Sequence, residues 1–134
     1  MGTFQGTFFR LSYPDHWEAE IIEDIPAFFD PEGGGALQVA AGSEEGNFQT
    51  REELNRFLSR QGMEFQDEKV ATFINEKGIE CSICEYMREG RFWLVQALSI
   101  QNRLLLVFYN SDEIPDQEQA LAISSILGSI QPLE

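Results

Sequence analysis

Two cysteines, one histidine and a large surplus of carboxylates are the residues whose types and spacing invite a chemical reading. Cys81-Ser82-Ile83-Cys84 has the separation of a redox pair, which in a thioredoxin-like enzyme sits at a helix N-terminus where the dipole lowers a thiol pKa. Around it, however, residues alternate as in a strand: Ile79, Cys81, Ile83 and Met87 fall on one side, Glu80, Ser82, Cys84 and Tyr86 on the other. Residues three apart on a strand point to opposite faces, so the sulfurs are predicted not to meet, with one thiol in the core and one outward. Four-ligand zinc fails too, because two Cys and one distant His16 provide at most three soft ligands.

His16, next to Asp15, would have to be the base of any nucleophile, histidine and carboxylate triad. It lies in a turn, and no Gly-x-Ser-x-Gly elbow presents a nucleophile to it. A small enzyme using Cys84 or His16 is therefore the alternative reading. Gly33-Gly34-Gly35 follows Asp30 and Glu32 and leads into a strand, whereas a phosphate loop leads into a helix, so a hairpin loop is expected. Glu44-Glu45, Glu52-Glu53 and Asp112-Glu113 lack calcium-loop spacing and read as solvated surface. The sequence assigns no catalytic, cofactor-binding or metal-ligating residue.

The elements that would hold these residues in place can be read along the chain. At 134 residues, residues 1–134 fit one domain with one core. Hydrophobic residues make up 43%, with 11 Phe, 3 Tyr and 2 Trp, enough apolar surface to offset chain entropy. Phe9, Leu11 and Tyr13 alternate with Arg10 and Ser12 as a strand stopped by Pro14-Asp15. Trp17, Ala19 and Ile21 predict a second strand and Ile25 to Phe29 a third. Leu37, Val39 and Ala41 are expected as an inward set. Thr50-Arg51-Glu52-Glu53 has the pattern of a capping box, opening a helix with Leu54, Phe57 and Leu58 on its apolar face and Gly62 as its left-handed stop.

From Val70 onward the signals are β: Val70 to Ile74, Ile79 to Met87, Phe92 to Ile100 and Arg103 to Tyr109. Short connections at Asn75 to Gly78, Glu89-Gly90 and Gln101-Asn102 predict an antiparallel meander. Leu94 and Leu98 oppose Trp93 and Val95, and Leu104 to Phe108 is apolar throughout, so cover is expected on both faces. Pro115 is expected to open a last helix with the stripe Ile123, Ile126, Leu127 and Ile130. The fold class is α+β: a central antiparallel sheet flanked by helices.

Phe9-x-Leu11-x-Tyr13-Pro14-x-x-Trp17, the long meander, and the closing helix with Ile123-x-Ser125-Ile126 and Ser129 resemble the PsbP/Mog1-like superfamily, as a distant bacterial member. The likeness spans nearly the whole chain in element order. It implies an antiparallel sheet sandwiched between helices. Relatives of that fold include a photosystem accessory protein, a nuclear-import factor that binds a small GTPase, and bacterial chaperones for secreted effectors, so no shared catalytic motif carries over.

Nine Lys and Arg against 23 Asp and Glu give a net charge of −14, which argues against nucleic acid and anionic membranes. The start of the chain shows no basic segment followed by an apolar one, nor a myristoylation pattern, and no apolar run is long enough to span a bilayer. A cytoplasmic location without cofactor is the expectation. With aromatics as adjacent as Phe28-Phe29 and Phe92-Trp93, rings must face both sides of the sheet. Incomplete cover would leave an apolar sheet surface for another protein or a second copy of the chain, which makes a non-enzymatic protein-binding or accessory, chaperone-like module the first reading.

Overall fold

Three tight two-residue turns close hairpins of the large sheet. Glu23-Asp24, Glu89-Gly90 and Gln101-Asn102 each place both central residues at positive φ (50° and 68°, 51° and 77°, 50° and 63°). Paired left-handed residues form the turn whose twist matches that of two antiparallel strands. A computed structural model describes residues 1–133; Glu134, the last residue of the expected domain, and the side chain of Ser43 lie outside the described set.

The chain order is β1 (Gly2–Gln5), β2 (Phe9–Tyr13), β3 (Glu18–Ile22), β4 (Ile25–Phe29), β5 (Ala36–Glu45), α1 (Thr50–Arg60), a 3-10 turn (Asp67–Lys69), β6 (Ala71–Ile74), β7 (Glu80–Arg88), β8 (Arg91–Ile100), β9 (Arg103–Ser111), α2 (Gln117–Ser129) and β10 (Gln131–Pro132). Seven strands form one antiparallel sheet in the order β3-β4-β5-β9-β8-β7-β6. The meander is as expected, and the class is α+β with a mainly antiparallel sheet. No helix of the described residues is long and apolar enough to cross a membrane.

β2 lies outside that sheet. It pairs with β1 on one side and β10 on the other, forming a separate three-stranded sheet that joins both ends of the chain. Ser129 helps to clamp it: its Oγ accepts from Ser12 N at 2.9 Å and donates to Ser12 O at 3.1 Å. This small sheet and α2 cover the first face of the large one. Their Phe9, Leu11, Ile123, Ile126 and Ile130 pack with Phe28, Leu37, Val107, Tyr109 and Leu98 in the principal core, which Trp17 joins at 5% exposure.

Several expected boundaries shift for local reasons. Thr50 is the first residue of α1 rather than its cap; Gln49 holds the cap position, with no side-chain capping bond. Pro115 precedes α2 instead of opening it, and Asp116 is the cap, its Oδ1 accepting from Gln119 N at 2.8 Å. Ala41, expected inward, is exposed where β5 loses regular register between Ala41 and Glu45, and Ala19 and Ile21 are exposed because β3 is an edge strand. Gly62 does stop α1. At φ 76° its N–H reaches Ser59 O, and the next N–H, of Met63, reaches Leu58 O, the paired bonds of a Schellman ending.

Candidate functional site

The second face of the large sheet is the one with chemistry and open surface. Register fixes its cross-strand rows: Tyr86, Trp93, Asn110, Ala36, Phe29 and Glu18 in one, and Cys84, Val95, Phe108, Gln38, Ala27 and Glu20 in the next. A third row runs Thr72, Ser82, Ala97, Leu106 and Ala40. Cys81 falls on the opposite face. The thiols are separate and free, as alternation requires.

Helix α1 lies over only the β7 and β8 side of this face. Leu54 and Leu58 pack on Cys84, Val95 and Ala97, and the Phe57 ring lies 5.6 Å from that of Phe108. What holds the helix there is a polar chain at its start. The Glu80 carboxylate accepts from Thr50 N at 3.1 Å and Thr50 Oγ1 at 2.7 Å; Thr50 Oγ1 also meets Ser82 Oγ at 2.8 Å, which meets Thr72 Oγ1 at 2.9 Å. A carboxylate from β7 thus does the capping that the sequence pattern assigned to Thr50 and Glu53. Glu53 instead accepts from Arg56 at 2.9 Å. Thr50→Val keeps the shape and removes the hydroxyl, taking one bond from the Glu80 carboxylate and one from buried Ser82, and is expected to cost about 1–3 kcal/mol in denaturant unfolding.

Beyond Phe57 the face is only partly covered, although Ala27 on β4 is fully buried. Leu104, Leu106 and Phe108 on β9 are half-buried where the sequence led us to expect full burial, and Ala36, Gln38, Ala40 and Phe29 beside them are half-buried too. The floor over β9, β5 and β4 is thus mainly apolar, with Ala36 and Ala40 between larger side chains and with Glu18 and Glu20 exposed on β3 at its far side. The sequence led us to expect rings on both sides of the sheet and an apolar surface wherever cover was incomplete, but where α1 stops over the sheet is set by tertiary contacts that no local pattern carries.

Cys84 is not outward in the sense of being exposed. At 5% exposure it borders a cleft of about 430 Å³ between β7 and the segment after α1. Burial, with a further contribution from the Glu85 charge, pushes its thiol up to about 11. Burial likewise raises Cys81, and it pushes the neighbouring Tyr86 phenol up to about 12. A nucleophilic cysteine needs the reverse shift.

The sign gives a test. Below pH 9, the ordinary thiol value, folded and unfolded chains both hold these protons. From there to about 11 the unfolded chain loses protons the folded chain keeps, so stability falls as pH rises through this window. Iodoacetamide labelling at pH 8 is expected to modify Cys81 and Cys84 at least about tenfold more slowly than the unfolded chain.

His16 is half-exposed and borders a different cleft, of about 180 Å³, with Asp30, Glu32, Asp116 and Glu118. Its Nε2 stands 3.8 Å from Asp30 Oδ2. The fold does not bring His16 and Cys84 together, since neither borders the other's cleft. Gly33-Gly34-Gly35 links β4 to β5, as a hairpin loop should. Gly35 N donates to Tyr109 Oη at 2.9 Å, and a Cβ on Gly35 would come within 1.8 Å of Asn110 O. Among the described residues no three His, Cys, Asp or Glu side chains gather as a metal site.

These features define an α+β domain with a mainly antiparallel sheet and one partly open sheet face. No family model matches the chain, and no curated protein matches it. A crystal structure from Bacteroides thetaiotaomicron VPI-5482, at 1.50 Å resolution, is similar over 98% of this chain, with TM-score 0.63 and 14% identity. The match covers 48% of that protein, so this chain spans about half its length. Identity this low shows shared fold alone.

Proposed function

We propose that this chain is a non-enzymatic protein-binding domain, and that its open sheet face receives an amphipathic helix of a partner protein beside α1. One observation carries the reading: Leu106, Phe108, Ala36, Ala40 and Phe29 on β9, β5 and β4 are only half-buried, and α1 reaches this floor only as far as the contact of Phe57 with Phe108. Three strands at about 4.8 Å spacing give a floor about 14 Å wide, matching the 10–12 Å diameter of a helix with side chains. Ala36 and Ala40 let that helix approach closely. Glu18 and Glu20 at the edge, on a chain of net charge −14, favour a helix with a basic flank. The same charge argues against nucleic acid or an anionic membrane as partner.

Helices on both faces of an antiparallel sheet also suit the PsbP/Mog1-like sandwich, and an accessory or chaperone-like role is the one we assign within it. The raised thiol of Cys84 and its separation from His16 count against the enzymatic alternative.

The test is calorimetric titration with a synthetic amphipathic helix of leucines and lysines. Wild type is expected to bind it, and Leu106→Asp and Ala40→Glu to bind at least about tenfold more weakly, although both add negative charge. Equal or tighter binding by the two variants would mean attraction by net charge alone, and the reading would fall.

A further inference from the structure

Strand β7 has nine residues, but only its first half has an outer neighbour. β6 pairs Ala71 to Ile74 with Ile83 to Glu80 and goes no further, because the preceding residues form the 3-10 turn Asp67–Lys69. In a hairpin closed by two residues, ladder bonds fall on alternate positions starting with the pair flanking the turn. That pair is Arg88 and Arg91, so Arg88, Tyr86 and Cys84 direct their main chain to β8, whereas Met87, Glu85 and Ile83 direct theirs outward. Ile83 meets Ala71. No strand meets Glu85 or Met87, and no hydrogen bond found among the described residues reaches their main chain.

The cleft of about 430 Å³ runs along this unpaired stretch. Leu58, Met63, Val70 and Tyr86 supply apolar lining on the α1 side, and Glu64 and Glu85 supply carboxylates, with Lys69 as the lining cation. The other edge of the large sheet is guarded: β3 carries Glu18 and Glu20 and ends in Glu23-Asp24, charges of the kind that discourage strand addition. Along the free half of β7 the charges Glu64, Lys69 and Glu85 stand singly among apolar lining rather than as a run of like charge.

We propose that the free edge of β7 is a second binding site, which takes an extended peptide of alternating apolar and basic residues as an added antiparallel or parallel strand. Outward N–H and C=O groups of Glu85 and Met87 provide the ladder. Side chains of an added strand alternate faces, so every second one meets the apolar lining in the Cys84 and Tyr86 rows, and those between lie in the Glu85 row. A carboxylate there selects a basic residue, and the net charge of −14 draws it in. The site is independent of the open face over β9, β5 and β4.

The test uses the full chain, isotope-labelled, with acetyl-Val-Lys-Val-Lys-Val-Lys-amide as probe and amide exchange by NMR as readout. Bound peptide is expected to slow exchange at Glu85 and Met87 by about tenfold or more. The same peptide N-methylated at alternate amides, and a Val-Glu counterpart, should each bind at least about tenfold more weakly. Glu85→Pro should weaken binding equally with an unchanged circular dichroism spectrum, since that N–H serves no native ladder; Met87→Pro is the second variant should the first disturb the fold. Leu106→Asp should bind like wild type. Equal affinity of the N-methylated peptide, slowing confined to other residues, or loss of binding in Leu106→Asp would each overturn the proposal, the last by moving the site to the open face.

Discussion

Leu105→Asp is expected to leave no folded protein at 25 °C, while its neighbour Leu106→Asp folds with a loss of about 1–2 kcal/mol. Both are leucines in the middle of β9, in a run that is apolar from Leu104 to Val107. Leu105 has no exposure and packs in the principal core with Leu98 and Val107, so a carboxylate there has neither water nor a partner. Leu106 faces the other way, between Ala97 and Ala40, and is half-buried. Its carboxylate can reach water across the partly covered floor. Far-ultraviolet circular dichroism and urea unfolding separate the two outcomes, and equal collapse of both would mean the second face is covered.

The other large effect is at Trp17. This residue sits just ahead of β3, where the chain passes from the small sheet to the large one, and only 5% of it is exposed. Trp17→Ala is expected to cost about 3–5 kcal/mol in urea unfolding, since removing a buried indole leaves a cavity the surroundings fill only in part. A change of a few tenths would place the ring at the surface and detach the small sheet from the core.

How much of this was legible without coordinates depended on how local the determining contacts are. The meander from Val70 to Tyr109 was readable because its turns are two to four residues long and alternation fixes which side chains share a face; the opposite placement of Cys81 and Cys84 follows from the same period. Gly62 was readable because a helix ending by two bonds at positive φ favours glycine. β1 and β10 were not readable. They are four and two residues long, and β10 pairs with β2 from the far end of the chain, a contact with no local signal.

The capping-box error has the same cause. The Thr50-x-x-Glu53 spacing is real, but Glu80, some 30 residues on, places its carboxylate against the same N–H and hydroxyl. The open face was half legible: adjacent aromatics had to point both ways, yet the extent of α1 over the sheet is tertiary, and no pattern in β9 distinguishes Leu105 from Leu106. The free edge of β7 was hidden for a related reason, since the expected strand from Val70 matched β6 closely while the turn before it, which ends the pairing, carries only charged residues.

The claim on which the functional account rests is that the face over β9, β5 and β4 is open in the free chain and closed by a partner. Carbene footprinting with mass-spectrometric readout measures this directly, on the free protein and on the complex isolated from its native lysate. We predict that Phe29, Leu106 and Phe108 are labelled in the free protein and protected in the complex, while Leu105 and Phe28 stay unlabelled in both. Absence of labelling at Leu106 and Phe108 in the free protein, or equal labelling in the complex, would contradict the account.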